Sequence, residues 1–200
     1  NTIALGGSGF TGGRLLLRNF TQAGTTAMTL PLTGSSTFQV GPNSAIGGNV
    51  NFSAPRILTN GVTYGGTAAL EKTGGLDDAS IGNNIFNGVT TITNSGSGYL
   101  YMGNGNPDQF NATTTFNNNG SSRIYFSHSH SGQTTTFAAD LTLNSNKTGG
   151  ADAWSYLITE GANTNISVAG NFSINCAGAL QSNHRILQGA GTTASFGGDV

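Results

Sequence analysis

Charged residues are scarce in this chain, and their scarcity excludes several classes of function. Only 8% of its 200 residues are charged, whereas about 25% is usual in soluble domains. The formal net charge is -1 and the sequence pI is about 6.3. No basic field is therefore present to attract a phosphate backbone or an anionic membrane surface, and no nucleic-acid partner is expected.

Cysteine and long apolar runs are also nearly absent. The single cysteine, Cys176, has no second cysteine with which to form an internal disulfide, and it is expected to be a small buried hydrophobe. No run approaches the roughly 18 to 20 apolar residues that a membrane-spanning helix needs, so no membrane insertion is expected. Residues 1–200 are interpreted as one segment of a longer chain or fibre.

Glycine is abundant, with 32 residues, and a seven-residue repeat argues against disorder. Positions one, five and seven are usually apolar and the intervening positions are polar, which is the two-residue period of a β-strand. The six copies are separated by 40, 24, 27, 31 and 28 residues and begin at Ile46, Phe86, Phe110, Phe137, Val168 and Phe196.

The third position of the repeat is small in every copy. Such regularity predicts that the copies stack on one another and form an inward column of small side chains. The third-position residues are Gly48, Gly88, Ala112, Ala139, Gly170 and Gly198, and the inward column is predicted for Gly88, Ala112, Ala139 and Gly170.

A second strand is predicted after most copies, at 99–102, 123–126, 155–158 and 185–188, with 56–59 as an earlier candidate. Gly, Asn and Ser clusters between the strands indicate turns. Units of about 24–31 residues with short strands and no helical periodicity predict an all-β fold, a right-handed parallel β-solenoid of irregular coils. Residues 46–200 show clear repeats, and residues 1–45 are less regular.

Three stretches, 67–74, 84–100 and 103–111, resemble giant repetitive secreted or cell-surface proteins of Bacteroidota. The resemblance covers residues 65–145 best. It implies a parallel β-solenoid located at the cell surface or outside the cell, with a role in adhesion or in extracellular fibres. It implies no catalytic residue.

Acidic residues are the candidates for catalysis, because polysaccharide-active β-helix enzymes use paired carboxylates. Asp140 and Asp199 share a motif position, but they are two coils and about 10 Å apart. The remaining candidates fall in an expected loop or in different units: Glu71-Lys72, Asp77-Asp78, Asp108 and Asp152. The pattern therefore predicts no enzyme and no cofactor.

His128 and His130 are the candidate metal ligands, since residues two apart on a strand can point to the same side. No third ligand follows from the spacing, and the flanking serines and glycine favour a solvated turn. The sequence therefore predicts no metal site.

The leading hypothesis is an extracellular fibre or surface-stalk protein that self-associates through coil stacking and lateral contacts. An adhesin segment that binds glycans or a cell surface is the alternative, and a polysaccharide-active enzyme is the third hypothesis. End-to-end stacking is expected at the last, partial copy of the repeat, formed by Phe196, Gly197, Gly198, Asp199 and Val200.

Lateral contacts are expected at an apolar stripe along the second strands. Both alternating sets of residues there are apolar, as in strands that are covered on both faces. The stripe consists of Leu58, Tyr101, Tyr125, Leu157 and Leu187. We expect it to be covered by another protomer, by a glycan or by the chain's own loops.

Overall fold

The computed structural model describes residues 10–130, 132–147, 154–158, 161–177, 183–186 and 189–200. Within these ranges all regular elements are β-strands, so the predicted all-β class is confirmed, and no helix there has the length and apolarity to span a membrane. In chain order the strands are β1 (Arg14–Leu17), β2 (Thr21–Gln22), β3 (Met28–Pro31), β4 (Thr37–Val40), β5 (Ser44–Ile46), β6 (Val50–Ala54), β7 (Arg56–Thr59), β8 (Val62–Tyr64), β9 (Ala68–Lys72), β10 (Ile85–Phe86), β11 (Thr90–Asn94), β12 (Leu100–Tyr101), β13 (Gln109–Phe110), β14 (Thr114–Asn118), β15 (Ile124–Phe126), β16 (Thr134–Phe137), β17 (Leu141–Ser145), β18 (Trp154–Ile158), β19 (Asn165–Val168), β20 (Phe172–Cys176), β21 (Asn183–Arg185) and β22 (Thr193–Phe196).

The paired strands are parallel and form four sheets. Sheet 1 has the order β1-β4-β7, sheet 2 the order β2-β5-β8-β10-β13-β16-β19-β22, sheet 3 the order β20-β17-β14-β11-β9-β6-β3, and sheet 4 the order β12-β15-β18-β21. Successive strands visit sheets 1, 2 and 3 in turn up to β9, and sheets 2, 3 and 4 in turn from β10 onward. Each such round is called a unit below. Strands of one sheet pair with the equivalent strand of the next unit, but β7 has no such partner among the described strands, because sheet 1 ends there and sheet 4 begins at β12.

The first position of the repeat forms a column in sheet 2. Its paired residues are Phe86, Phe110, Phe137, Val168 and Phe196, in the predicted register. Four buried rings stack along this column, Tyr64 on Phe86, Phe86 on Phe110 and Phe110 on Phe137, with centroids 4.8, 4.8 and 4.7 Å apart. These rings belong to the hydrophobic core.

The 40-residue gap between the first two copies of the repeat contains a further copy. Tyr64 takes the first position and pairs on its two sides with Ile46 and Phe86. The strand β9 lies in this copy, directly after Thr67. The fifth position of the repeat usually holds a larger residue, but in this copy it holds Ala68. The apolar pattern of the sequence therefore does not reveal this copy.

The small residues at the third position form the predicted column, but they do not point into the core. Register pairing aligns them from one unit to the next, in the turns between sheets 2 and 3. Gly88, Ala112, Ala139 and Gly170 are half-buried there, whereas Gly48 is buried and Gly198 is exposed. A Cβ atom added to Gly88 would lie 2.4 Å from the carbonyl oxygen of Gly66. The prediction of an inward column is therefore wrong, since the space is limited by the backbone of the preceding unit.

The last residue of several sheet 3 strands is polar and buried. The Nδ2 group of Asn118 donates to the carbonyl oxygen of Ser122, 2.8 Å away, and to that of Ser155 in the next unit, 3.0 Å away. Asn94, one unit earlier, makes equivalent bonds. These amides satisfy carbonyl groups where the chain leaves the sheet, which an apolar side chain would leave unpaired.

A second buried polar network lies directly before the first residues of β10 and β13 in sheet 2. Oδ1 of Asp108 accepts hydrogen bonds from the backbone N–H and the Nδ2 group of Asn84, at 2.9 and 2.8 Å. Oδ1 of Asn84 accepts a bond from the hydroxyl of Thr59 at 3.0 Å, and that hydroxyl lies 2.8 Å from the hydroxyl of Tyr64. Burial raises the pKa of Asp108 to about 7, against the effect of the bonds from Asn84.

Candidate binding surface

The five tyrosines of the chain divide between the core and the surface. Tyr64 and Tyr156 are fully buried in the core. The other three, Tyr99, Tyr101 and Tyr125, meet on the outer side of sheet 4. Tyr101 is half-buried and follows buried Leu100 in β12. Tyr125 pairs with Tyr101 and is itself only 4% exposed, but it is not part of the hydrophobic core cluster.

These three tyrosines and His128 are called the tyrosine cluster. Tyr101 and Tyr125 are paired across β12 and β15, and their rings stack with centroids 4.5 Å apart and planes at 21°. Tyr99 meets both rings edge-on, with centroids 6.0 and 5.4 Å away. His128 also meets both edge-on, at 5.0 and 5.4 Å.

Polar groups surround the rings of the tyrosine cluster. The guanidinium carbon of Arg123 lies 5.7 Å from the centroid of the Tyr99 ring, and its Nη1 donates to the hydroxyl of Tyr125 at 3.1 Å. Nδ1 of His128 lies 2.9 Å from Oδ1 of Asn104. Aromatic rings with polar groups placed around them are the usual lining of sites for small amphipathic ligands.

The two histidines lie in different environments, and the expectation of a solvated turn is wrong for His130, which is buried. Ser127 and Ser129 adopt positive φ angles of 60° and 58°, and these turns separate the two side chains. His130 is buried, with Nε2 3.0 Å from the hydroxyl of Ser127 and 3.2 Å from that of Thr135. Burial lowers its pKa. The described residues contain no group of three His, Cys, Asp or Glu that would hold a metal.

The predicted apolar stripe is only partly one surface. Tyr101 pairs with Tyr125, and Tyr125 pairs with Leu157, so these three residues follow one another in sheet 4. Leu58 is half-buried and lies in sheet 1, on β7. The role of these residues as a contact surface stays a prediction.

The last predicted member of the stripe, Leu187, lies outside the described residues. The residue that pairs with Leu157 is Arg185, because the register shifts between Trp154 and Tyr156. The alignment of the second strands therefore differs from the sequence-based one in the last unit.

The residues predicted to stack end to end continue the register of the repeat. Phe196 pairs with Val168, and the N–H groups of Gly197 and Gly198 donate to carbonyl oxygens of the preceding unit at 2.8 and 3.2 Å. Asp199 is bound likewise, and Val200 is 82% exposed. In the described part of the chain, β22 has a neighbouring strand on one side only. Stacking of a further unit on this edge stays a prediction.

Asp140 and Asp199, which share a motif position, take part in capping contacts between units. Oδ1 of Asp140 accepts the backbone N–H of Asn171 at 2.8 Å, and Oδ1 of Asn171 accepts that of Asp199 at 3.0 Å. Side chains at this position thus bind the turn of the next unit. Asp152 lies outside the described residues.

Lys72 was expected in a loop, and this is wrong because it is the last residue of β9. Asp78 does lie outside the strands, and both residues are buried. The ammonium group of Lys72 donates to the carbonyl oxygen of Gly74. Oδ1 of Asp78 lies 3.9 Å from Nε of Arg56. Burial raises the pKa of Asp78 to about 8, against the charges of Lys72 and Arg56, and burial lowers the pKa of Lys72.

A surface cavity of about 210 Å³ borders this charged group. Its lining is mostly glycine, serine and proline, and Arg56 is its one charged side chain. Ligand pockets usually measure about 300–1,000 Å³ and are lined mainly by apolar and aromatic side chains. A second cavity of about 390 Å³ is lined only by threonine, serine, glycine and asparagine residues, so neither cavity offers the aromatic surface of the tyrosine cluster.

Cys176 was expected to be buried, and this expectation is also wrong. Cys176 is exposed at the end of β20, an edge strand of sheet 3, with Sγ 3.0 Å from Nε2 of His184. It occupies the column that Asn118 and Ser145 occupy in earlier units.

Comparison with known proteins assigns no family to the chain: no protein-family model, no curated protein and no solved structure matches it. The stacked strands and the tyrosine cluster therefore carry the functional interpretation.

Proposed function

We propose that the chain is a segment of a right-handed parallel β-solenoid that serves as a structural element of an extracellular fibre or surface stalk. The observation that carries this proposal is the strand order of sheets 2 and 3, in which each strand pairs in parallel with its equivalent in the next unit. Crossovers between parallel strands of one sheet are right-handed in about 98% of cases, which supports the handedness. The resemblance to giant repetitive surface proteins of Bacteroidota supports the location.

Side-chain ladders along the stacking direction support a mechanical role. Asn144 donates to Oδ1 of Asn117 at 2.9 Å, and Asn175 donates to Oδ1 of Asn144 at 3.0 Å. Together with the stacked rings and the backbone ladders, these bonds tie each unit to its neighbours, as in other stacked-repeat proteins. The low charge content leaves little repulsion between segments that pack side by side. The proposal assigns the chain no catalytic activity.

Self-association through the edge of β22 is the part of this proposal that mutagenesis tests most directly. Gly197 donates its N–H toward β19, and N–H groups alternate in direction along a strand. The N–H of Ala194 therefore points toward the free edge. Ala194→Pro removes that donor and leaves the pairing with β19 in place.

We expect the wild-type chain to form concentration-dependent assemblies in analytical ultracentrifugation and negative-stain microscopy. Ala194→Pro should reduce this assembly while the far-UV circular dichroism spectrum stays the same. A wild-type chain that remains monomeric at the highest soluble concentration would contradict end-to-end stacking.

A second candidate function is that of an adhesin segment that binds glycans. The tyrosine cluster favours it, because three of the five tyrosines of the chain meet beside sheet 4, outside the hydrophobic core cluster, with polar groups around them. The two functions are compatible, since a stalk can carry a binding surface. They are separated experimentally by whether substitutions in the cluster affect ligand binding without affecting assembly.

A further inference from the structure

A step in the outer surface lies beside Tyr101. The N–H of Asp78 donates to the carbonyl oxygen of Tyr99 at 2.9 Å, and the N–H of Leu100 donates to that of Arg123 at 3.0 Å. In β12 and β15, Leu100 is aligned with the residue that follows its acceptor Arg123. By the same rule Asp78 is aligned with Leu100, the residue that follows its acceptor Tyr99. The segment around Asp78 therefore lies alongside β12, on the side opposite β15.

This alignment places Ala79 next to Tyr101, in the position that Tyr125 occupies on the opposite side of the ring. Ala79 is exposed, whereas Asp78 and Ser80 on either side of it are buried, so its methyl group points outward. The surface column therefore carries a methyl group in one unit and a tyrosine ring in each of the next two.

We propose that the step above Ala79 is a carbohydrate subsite, in which a pyranose ring of a neutral oligosaccharide packs against the ring of Tyr101. The sugar continues the stack that Tyr101 forms with Tyr125. Neighbouring strands are about 4.8 Å apart, and this spacing accommodates one ring between equivalent positions of two units. The inference rests on the adhesin function proposed above and names its ligand class.

The groups around the step suit a sugar, which has apolar C–H faces and a rim of hydroxyl groups. The carboxylate of exposed Asp77 accepts the N–H of Tyr99 at 2.7 Å and retains acceptor capacity for a hydroxyl group. Ile81 is 51% exposed and adds apolar surface at the other end of the segment. Arg123 and Asp77 have opposite charges, so their fields do not select a charged ligand.

The size of the surface favours a sugar over a second copy of the chain. The cluster occupies two units only, and Tyr125 is just 4% exposed. A tyrosine buries about 150–250 Å², whereas a stable dimer buries about 800 Å² on each partner. One or two partly exposed rings fall well below that area.

The test is saturation-transfer NMR of the 200-residue chain with maltohexaose, cellohexaose, mannohexaose and xylohexaose at millimolar concentration. We expect transfer to the pyranose C–H protons of at least one of them. Ala79→Leu fills the step, and Tyr101→Leu removes the aromatic face, so each should weaken binding by about tenfold, the equivalent of one aromatic stacking contact. Ala138→Leu, at an exposed turn position, is the matched control and should bind as the wild type does.

Circular dichroism establishes that each variant is folded before binding is compared. The proposal is overturned if none of the four oligosaccharides binds the wild-type chain, or if Ala79→Leu binds as tightly as the wild type. It is also overturned if Ala79→Leu changes the sedimentation of the protein without sugar, because the step would then contact a second copy. None of these results bears on assembly through the edge of β22, which Ala194→Pro tests separately.

Discussion

Phe110 is the residue whose replacement best tests whether the ring column holds the units together. It is 1% exposed and is stacked between Phe86 and Phe137, with centroids 4.8 and 4.7 Å away and planes within 1° and 4° of parallel. Truncation of a buried phenylalanine to alanine costs about 3–5 kcal/mol. Two stacking contacts are lost together, each worth about 0.5–1.5 kcal/mol beyond the area buried, so we expect Phe110→Ala to cost about 4–5 kcal/mol.

Equilibrium urea unfolding followed by circular dichroism measures this change. With a slope of about 2 kcal/mol per molar urea, the midpoint should fall by about 2 M. Val89→Ala is the control, because Val89 is 53% exposed and its truncation should change the unfolding free energy by no more than about 0.5 kcal/mol. A loss below about 2 kcal/mol for Phe110→Ala would refute the view that the stacked rings bind one unit to the next.

Two further predictions concern the turns and the buried carboxyl group. Gly88→Ala should lower the unfolding free energy by about 1–3 kcal/mol, because its Cβ would meet the carbonyl oxygen of Gly66 at 2.4 Å, whereas Gly24→Ala, with nothing within 4 Å, should have little effect in the same urea assay. The folded-state pKa of Asp108 is raised from 3.8 to about 7, so its favourable contribution is complete below about pH 4 and is lost as the pH rises through about 7. Asp108→Asn, which keeps the acceptor for Asn84, should therefore flatten the fall in unfolding free energy between these pH values, and an unchanged pH profile would count against burial of this carboxyl group.

The repeat in sheets 2 and 3 was predictable because one strand face is consistently apolar there. Phe86, Phe110 and Phe137 were aligned correctly from sequence alone, since a two-residue period allows only one register when one face is buried. The copy that begins at Tyr64 was missed because Ala68 breaks the apolar pattern. Pairing with both neighbouring units places it in the column all the same.

The candidate site was less predictable, because its residues belong to segments with no shared motif. Tyr101 and Tyr125 were singled out as part of a stripe, but Tyr99 and His128 were not connected with them. His128 reaches the cluster through two serines with positive φ, a conformation that no residue pattern indicates for serine. Lys72 was misplaced for a related reason, since a lysine that is buried by donating to a turn carbonyl looks like a loop residue in the sequence.

The buried bond between Asn84 and Asp108 determines which unit stacks on which. The ring column is nearly interchangeable from unit to unit, so a chain displaced by one unit along the stack would keep most of its apolar contacts. Register pairing gives Asp108 a donor in Asn84, whereas the equivalent residue one unit earlier is Val62, which offers no side-chain donor. Displacement would thus bury a carboxyl group without its side-chain partner, at a cost of several kcal/mol. The similar units thus hold the stack together through equivalent contacts, and the pair Asn84 and Asp108 specifies which unit is the correct neighbour.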